Sequence, residues 1–350
     1  MDRIALIVGE YVIYWRPLLM SAAAVTAACI FVSLYLIKGG SGLSAALAVP
    51  VAIALGTACS RFVHWYCRFE NYAGLLSAMT DYSSGGYALV GVFAGCLLTA
   101  LLLRLTSLSR DLGKMLDCMC IAGAGGIAIG RLASLFDNSD RGPILESLQG
   151  LPWVYPVINP VSGIQEYRLA TFMIQAIIAA AIFLFLLIFY LIPRKKRPLP
   201  NYDITLFFLL LYGTSQAVLD STRYDSLFFR SNGFVSVVQV LSAVVVVFTV
   251  VVFSGRMVKN RGMHRWYFAL WGLIAGMLGM AGYMEYYVQR HGSEAPLAYS
   301  VMSGSLAVVI VAVSVIWVLS FKKGTVQVRT GRYLSKNRQP SGESPSQNPE

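Results

Sequence analysis

The sequence predicts an all-α polytopic membrane protein, and three observations carry that expectation. Of its 350 residues, 57% are hydrophobic and only 13% charged, which is too apolar for a water-soluble domain of this length. Apolar runs of roughly 20 residues, the length that crosses about 30 Å of hydrocarbon as a helix, recur from one end of the chain to the other. The charged residues gather between those runs, and their sign changes from one loop to the next.

Taken in order, about nine spans are expected, near residues 17–37, 43–63, 87–108, 114–132, 169–193, 204–220, 234–254, 266–287 and 297–320. One set of alternate loops is basic: Lys38, then Arg104 with Arg110 and Lys114, then RKKR at 194–197, then RMVKNRGMHR at 256–265, then the tail. The other set is mixed or acidic: Arg68 with Glu70 and Asp81, the 131–168 segment, Asp220 to Arg230, and Arg290 with Glu294. The positive-inside rule assigns the basic set to the cytoplasm. The N-terminus is then outside and the C-terminus inside, which requires an odd number of spans, as nine is. Met1 to Arg16 lacks the ordered parts of a cleavable signal peptide, so the first span is read as an anchor.

The net charge of +11 does not point to nucleic acid, because the basic residues lie between spans and not on one polar domain with aromatic platforms. Cys29, Cys59, Cys67, Cys96, Cys118 and Cys120 are scattered in or beside spans and read as small apolar side chains. His64, His264 and His291 are single and far apart, so no metal and no cofactor is expected. The final QPSGESPSQNPE reads as part of a disordered basic and polar cytoplasmic tail, 321–350.

Polar groups at span ends are the informative ones, since each charge near the bilayer centre costs about 2.5 to 3.5 kcal/mol. Arg61 ends the second expected span, Ser83 to Gly86 precede the third, and Arg131 ends the fourth. Tyr167 and Arg168 open the fifth, Asp220 and Arg223 end the sixth, and Gln239 lies in the seventh. All fall at the outer ends, which points to one site at the external leaflet. The competing explanation for any single arginine is a snorkelling anchor, and for Asp220 with Arg223 a structural ion pair on one helix face. Gly86, Gly91 and Gly95, and likewise Gly123, Gly126 and Gly130, have the spacing that lets helices approach closely. A dinucleotide-binding role for GAGGIAIG is rejected, as no strand precedes it and no acidic partner follows.

GRLASLFDNSDRG (130–142) keeps the length of the signature G-R-x-G-N-F-x-N-G-E-x-x-G, with Gly130, Arg131 and Gly142 in place. LDCMCIAGAGGIAIGR upstream places Asp117 as that signature's helix does, and SGGYALVGVFAG is similar to its glycine-rich segment. YGTSQAVLDSTRYDSL resembles Y-G-x-x-R-F-x-x-E-x-x-R, and CSRFVHW resembles G-x-R-x-x-Y around Arg61. On these residues, over roughly 13–255, the chain resembles the prolipoprotein diacylglyceryl transferase family as a divergent member. Several positions depart from the pattern: Ser134, Asp137 and Ser139 replace two asparagines and a glutamate, Asp140 follows one step later, and Val90 replaces a histidine or tyrosine. Gln216 replaces an arginine, Asp220 a glutamate, Leu169 and Ala170 a histidine and proline, and Gln175 a common glutamate.

The resemblance implies a seven-helix transferase-like core over 1–255, with two additional helices over 256–320, in the cytoplasmic membrane of a bacterium. It implies transfer of a diacylglyceryl group from phosphatidylglycerol to the cysteine thiol of a lipoprotein precursor. That reaction calls for a phosphate clamp, for which a guanidinium is suited. Arg131 is the first candidate, with Arg223 and Arg61 adding charge and Ser134, Gly142 and Gln216 lining the site. A thiol that is mostly protonated near neutrality also needs a base, for which Asp137, Asp140 and Asp220 are candidates. The alternative is a family member that has lost this chemistry and binds lipid or a partner in the membrane. A transporter is disfavoured, since no pair of broken helices occurs in matching halves.

Overall fold

The protein is described here from a computed structural model covering residues 4–81, 86–109, 111–145, 152–159, 162–192, 199–229, 232–291 and 295–321. Ser83, Ser84, Gly85, Arg110, RKKR, Arg230, Glu294 and the tail from 322 onward lie outside the described residues. Among the described residues, ten α-helices follow in order: α1 (Trp15–Ile37), α2 (Gly42–Cys67), the short α3 (Leu75–Thr80), α4 (Leu89–Leu105), α5 (Leu112–Leu132), α6 (Thr171–Leu191), α7 (Asp203–Leu219), α8 (Val237–Arg261), α9 (Trp266–Arg290) and α10 (Ala295–Leu319). Among the described residues, seven are long and apolar enough to cross a membrane, and α4 and α7 are shorter apolar helices. Each expected span thus has its helix, and the fold is all-α and polytopic.

Close contact between backbones is made where the glycines permit it. A Cβ on Gly91 would stand 2.4 Å from the Cys59 carbonyl oxygen, and one on Gly95 would stand 2.5 Å from Gly56 Cα, so α4 lies directly on the backbone of α2. On α5, Gly126 faces Ala27 at 3.0 Å and Gly130 faces Met20 and Ala23 of α1, while Gly123 faces nothing within 4 Å. Gly123 therefore does not share the packing role expected of it.

The starts of α2, α5 and α8 are capped by side chains that the sequence places there. Asp111 accepts from the Lys114 amide at 3.1 Å at the start of α5, and Ser236 with Gln239 forms a capping box at the start of α8. The start of α7 takes its cap from another helix. Asp117 of α5 accepts from the Tyr202 and Thr205 amides at 3.1 and 2.9 Å and from the Thr205 hydroxyl at 2.6 Å, where a negative charge suits the helix dipole.

Next to that cap, fully buried Asp203 binds Arg256 of α8 and accepts from the Trp317 indole of α10 at 2.6 Å. Trp317 also packs against Phe189 at a tilt and against Phe207 edge-on. At the far end of α7 the Tyr299 hydroxyl of α10 donates to the Ser221 carbonyl at 3.3 Å. Helix α10 is thereby fastened to both ends of α7.

Among the described residues, three antiparallel hairpins, which the sequence reading did not anticipate, adjoin the helix ends: β1 (Ile4–Val8) with β2 (Tyr11–Tyr14), β3 (Val154–Ile158) with β4 (Gln165–Leu169), and β5 (Phe228–Phe229) with β6 (Asn232–Ser236). Tyr167 and Arg168 consequently lie on β4 instead of opening a helix, since that strand pairs through to Leu169 and α6 starts at Thr171. Arg61 is likewise not a span end. Helix α2 continues six residues further, to Cys67.

Candidate functional site

At the end of α5 the helix tightens into a 3-10 turn over Ala133–Phe136 and then unwinds into a loop. Asp140 takes a left-handed backbone there, with φ of 56°, a conformation that aspartate tolerates better than most residues. Every polar group of Asp140 is engaged. Its Oδ1 accepts from Arg131 at 2.7 Å and from Arg223 at 2.8 Å, and its Oδ2 from the Ser134 hydroxyl at 2.8 Å. Its amide donates to Asp225 at 3.0 Å, and its carbonyl accepts from the Phe172 amide at 3.1 Å. One residue so joins the end of α5, the start of α6 and the loop after α7.

Arg223 is shared among three carboxylates, reaching Asp220 at 3.2 Å and Asp225 at 3.0 Å besides Asp140. Asp220 is buried, and its other oxygen accepts from the Ser236 hydroxyl at the start of α8. Burial alone would raise the Asp140 carboxyl, but Arg131, Arg223 and the Ser134 hydroxyl outweigh it and hold it well below the usual carboxylate range. Asp140 is thus a charged strut and a weak proton acceptor.

Asp137 stands apart from this triad, bound to Arg16 at the start of α1 and to the Ser139 amide and hydroxyl at 2.9 and 2.6 Å. Gln216 is buried and accepts from Gln175 of α6 at 3.2 Å. Gly142 donates to the Leu169 carbonyl at 2.8 Å, and a Cβ there would meet Thr171 Oγ1 at 2.7 Å, so the loop packs against β4 only as glycine.

Arg131, Ser134, Asp140, Asp220 and Arg223 are therefore brought into one network, with Asp137 and Gly142 on the same loop. Arg61 is occupied elsewhere. It is 2% exposed and donates to the carbonyls of Ala78 at 2.8 Å, Gly86 at 3.1 Å and Asp81, with its guanidinium beside the Tyr72 and Tyr87 rings. It organises the segment before α4.

Sequence reasoning missed Arg16, Asp225, Ser236 and Arg141. The last is 3% exposed, and its Nη2 donates to the Ser134 and Asp137 carbonyls at 3.1 and 3.0 Å. Its guanidinium lies 4.5 Å from the Phe172 ring centre and 5.3 Å from that of Tyr155. Its Nε and Nη1 are buried without a hydrogen-bond partner, a state that costs about 1–3 kcal/mol per buried group, and more for charged ones. Asp225 and Ser236 lay in or beside a recognised segment, but their partners are distant in sequence.

Apolar helices whose ends converge on an ion-paired arginine and aspartate network define a multi-pass membrane protein with a polar site at one end of the bundle. The profile of the prolipoprotein diacylglyceryl transferase family matches residues 3–254, and the chain belongs to that family. A phosphatidylglycerol–prolipoprotein diacylglyceryl transferase of Streptococcus pneumoniae strain JJA is 28% identical over 186 residues, covering 52% of this chain and 68% of that protein. One of Finegoldia magna is 24% identical over 248 residues, covering 70% of this chain and 94% of that protein.

Proposed function

We propose that this protein transfers a diacylglyceryl group from phosphatidylglycerol to the cysteine thiol of a lipoprotein precursor, as a multi-pass protein of the bacterial inner membrane. The observation that carries this reading is the family match over residues 3–254. The relatives' names favour transfer over a purely lipid- or partner-binding role. The orientation places the N-terminus outside and the C-terminus inside, so that the Arg131 end of the bundle faces the outer leaflet.

In the reaction, a carbon–sulfur bond forms as the thiolate attacks the glyceryl carbon of the lipid. The carbon–oxygen bond to phosphate breaks, and glycerol phosphate leaves with the electron pair. Arg131 and Arg223 neutralise the carboxylates of the site, Asp140, Asp220 and Asp225, and hold its frame. Ser134 and Gln216 line it, and Arg61 shapes the segment beside it. Asp137 is the best placed of the three carboxylates to accept the thiol proton. Its side chain is more exposed than those of Asp140 and Asp220, at 17% against 12% and 0%, and it is not bound by the central guanidiniums. Residues 1–255 carry this activity, and 256–320 form an added pair of helices.

Complementation tests the function. In a bacterium depleted of its own diacylglyceryl transferase, this chain is expected to restore lipidation of a reporter precursor, and Asp137→Asn to reduce it by about a hundredfold, the scale of general-base catalysis. Membrane insertion without lipidation would refute the transferase reading.

A further inference from the structure

Of the cations first expected to hold phosphate, Arg131 and Arg223 are ion-paired and Arg61 is bound to backbone carbonyls. Arg131 pairs with Asp140, and Arg223 with Asp140, Asp220 and Asp225, so two guanidiniums face three carboxylates. Arg16 pairs with Asp137, and Arg168 with Glu166. An anionic headgroup arriving here meets no excess positive charge from these residues.

Arg141 differs from them in each respect. It is 3% exposed, and no carboxylate pairs with it among the described residues. Of the five N–H bonds of a guanidinium, the Nη2 pair serves two backbone carbonyls, while those on Nε and Nη1 reach no acceptor. The rings of Phe172 and Tyr155 balance part of the charge but provide no hydrogen-bond acceptor in the guanidinium plane. The neighbouring Asp140 ties the loop to α5, α6 and the α7 end, and Gly142 ties it to β4. Arg141 is thereby held in place from both sides.

We propose that Arg141 is the phosphate-binding cation of this protein, with Nε and Nη1 donating to phosphodiester oxygens of an anionic glycerophospholipid. The Arg131–Asp140–Arg223 triad then acts as the frame that positions it. This rests on the transferase reading for the identity of the lipid, and its test is separable from that reading.

The test measures binding of fluorescent phosphatidylglycerol to the full-length protein in detergent micelles, with soluble glycerol phosphate and inorganic phosphate as parallel probes. Arg141→Gln is expected to weaken lipid binding about tenfold or more, as for loss of charge-assisted hydrogen bonds. Lipid binding within twofold of wild type in a folded Arg141→Gln protein would overturn the proposal. Arg141-dependent binding of the soluble phosphates without Arg141-dependent lipid binding would overturn the lipid assignment. Should the glutamine variant fail to fold, Arg141→Lys decides: several-fold weaker lipid binding is expected, because an ammonium lacks the planar donor set, and unchanged binding refutes the proposal. Lipidation is followed on the same preparations. Arg141-dependent lipid binding with an inactive wild type supports the inference and refutes the function. An active wild type matched by Arg141→Gln at limiting lipid does the reverse.

Discussion

Replacing Asp140 by asparagine takes away the one negative charge that lies between Arg131 and Arg223. Breaking a buried ion pair from one side leaves its partners uncompensated, so Asp140→Asn is expected to cost about 3 kcal/mol. The sign of the pH dependence follows from the depressed carboxyl. Its stabilising effect is complete above the unfolded value of about 3.9 and is lost as pH falls from there toward the folded one. Thermal unfolding in detergent at stepped pH should show wild type losing stability below about pH 4 and Asp140→Asn losing less; equal slopes would mean that Asp140 is not the linked group. At this scale the sequence was partly legible. Arg131, Asp220 and Arg223 were singled out because charge is conspicuous at a span end, and Asp140 because it stands one step after the signature's glutamate position. Arg141 was not, since it occupies an open position of the signature and its significance lies in what surrounds it. Arg61 was legible as unusual but not in its role, because its partners are backbone carbonyls, which every residue has.

Among the helices, α2 and α4 test the role of small residues most directly. A methyl group on Gly95 would enter the backbone of α2 at 2.5 Å, where no side chain can move aside, whereas one on Gly123 meets nothing within 4 Å. Gly95→Ala should therefore destabilise the protein by at least about 1–3 kcal/mol. Gly123→Ala should be neutral or stabilising by up to about 1 kcal/mol through helix propensity. Melting temperatures of the two variants in one detergent check this, and similar values would remove the close-packing argument. Both glycines looked alike in sequence, because spacing identifies a helix face without saying whether another helix lies on it. Hairpins such as β3–β4 escaped notice for a related reason. Their strands have five residues each, too few for a periodic pattern to stand out beside long apolar runs.

For the whole molecule, the number and order of helices were readable because hydrocarbon thickness sets their length; α4 fell short of its expected span by only a few residues, and α7 matched its own within one residue at each end. Orientation rests on loop charge. A reporter inserted after residue 197 is expected on the cytoplasmic side and one after residue 150 on the external side; the reverse pattern would invert the proposed topology. What composition did not indicate is how the last helix joins the rest. Trp317 and Tyr299 of α10 grip the two ends of α7, and α7 leads directly into Asp220 and Arg223. The family match stops at residue 254, so a helix beyond it is braced against the segment that bears these charges. A shortened chain ending after α8 is therefore not a neutral version of this protein. It would retain each side chain of the polar network and yet release the rod on which two of them are mounted, so that changes at positions 299 and 317 can alter the site's geometry from outside the family's boundaries.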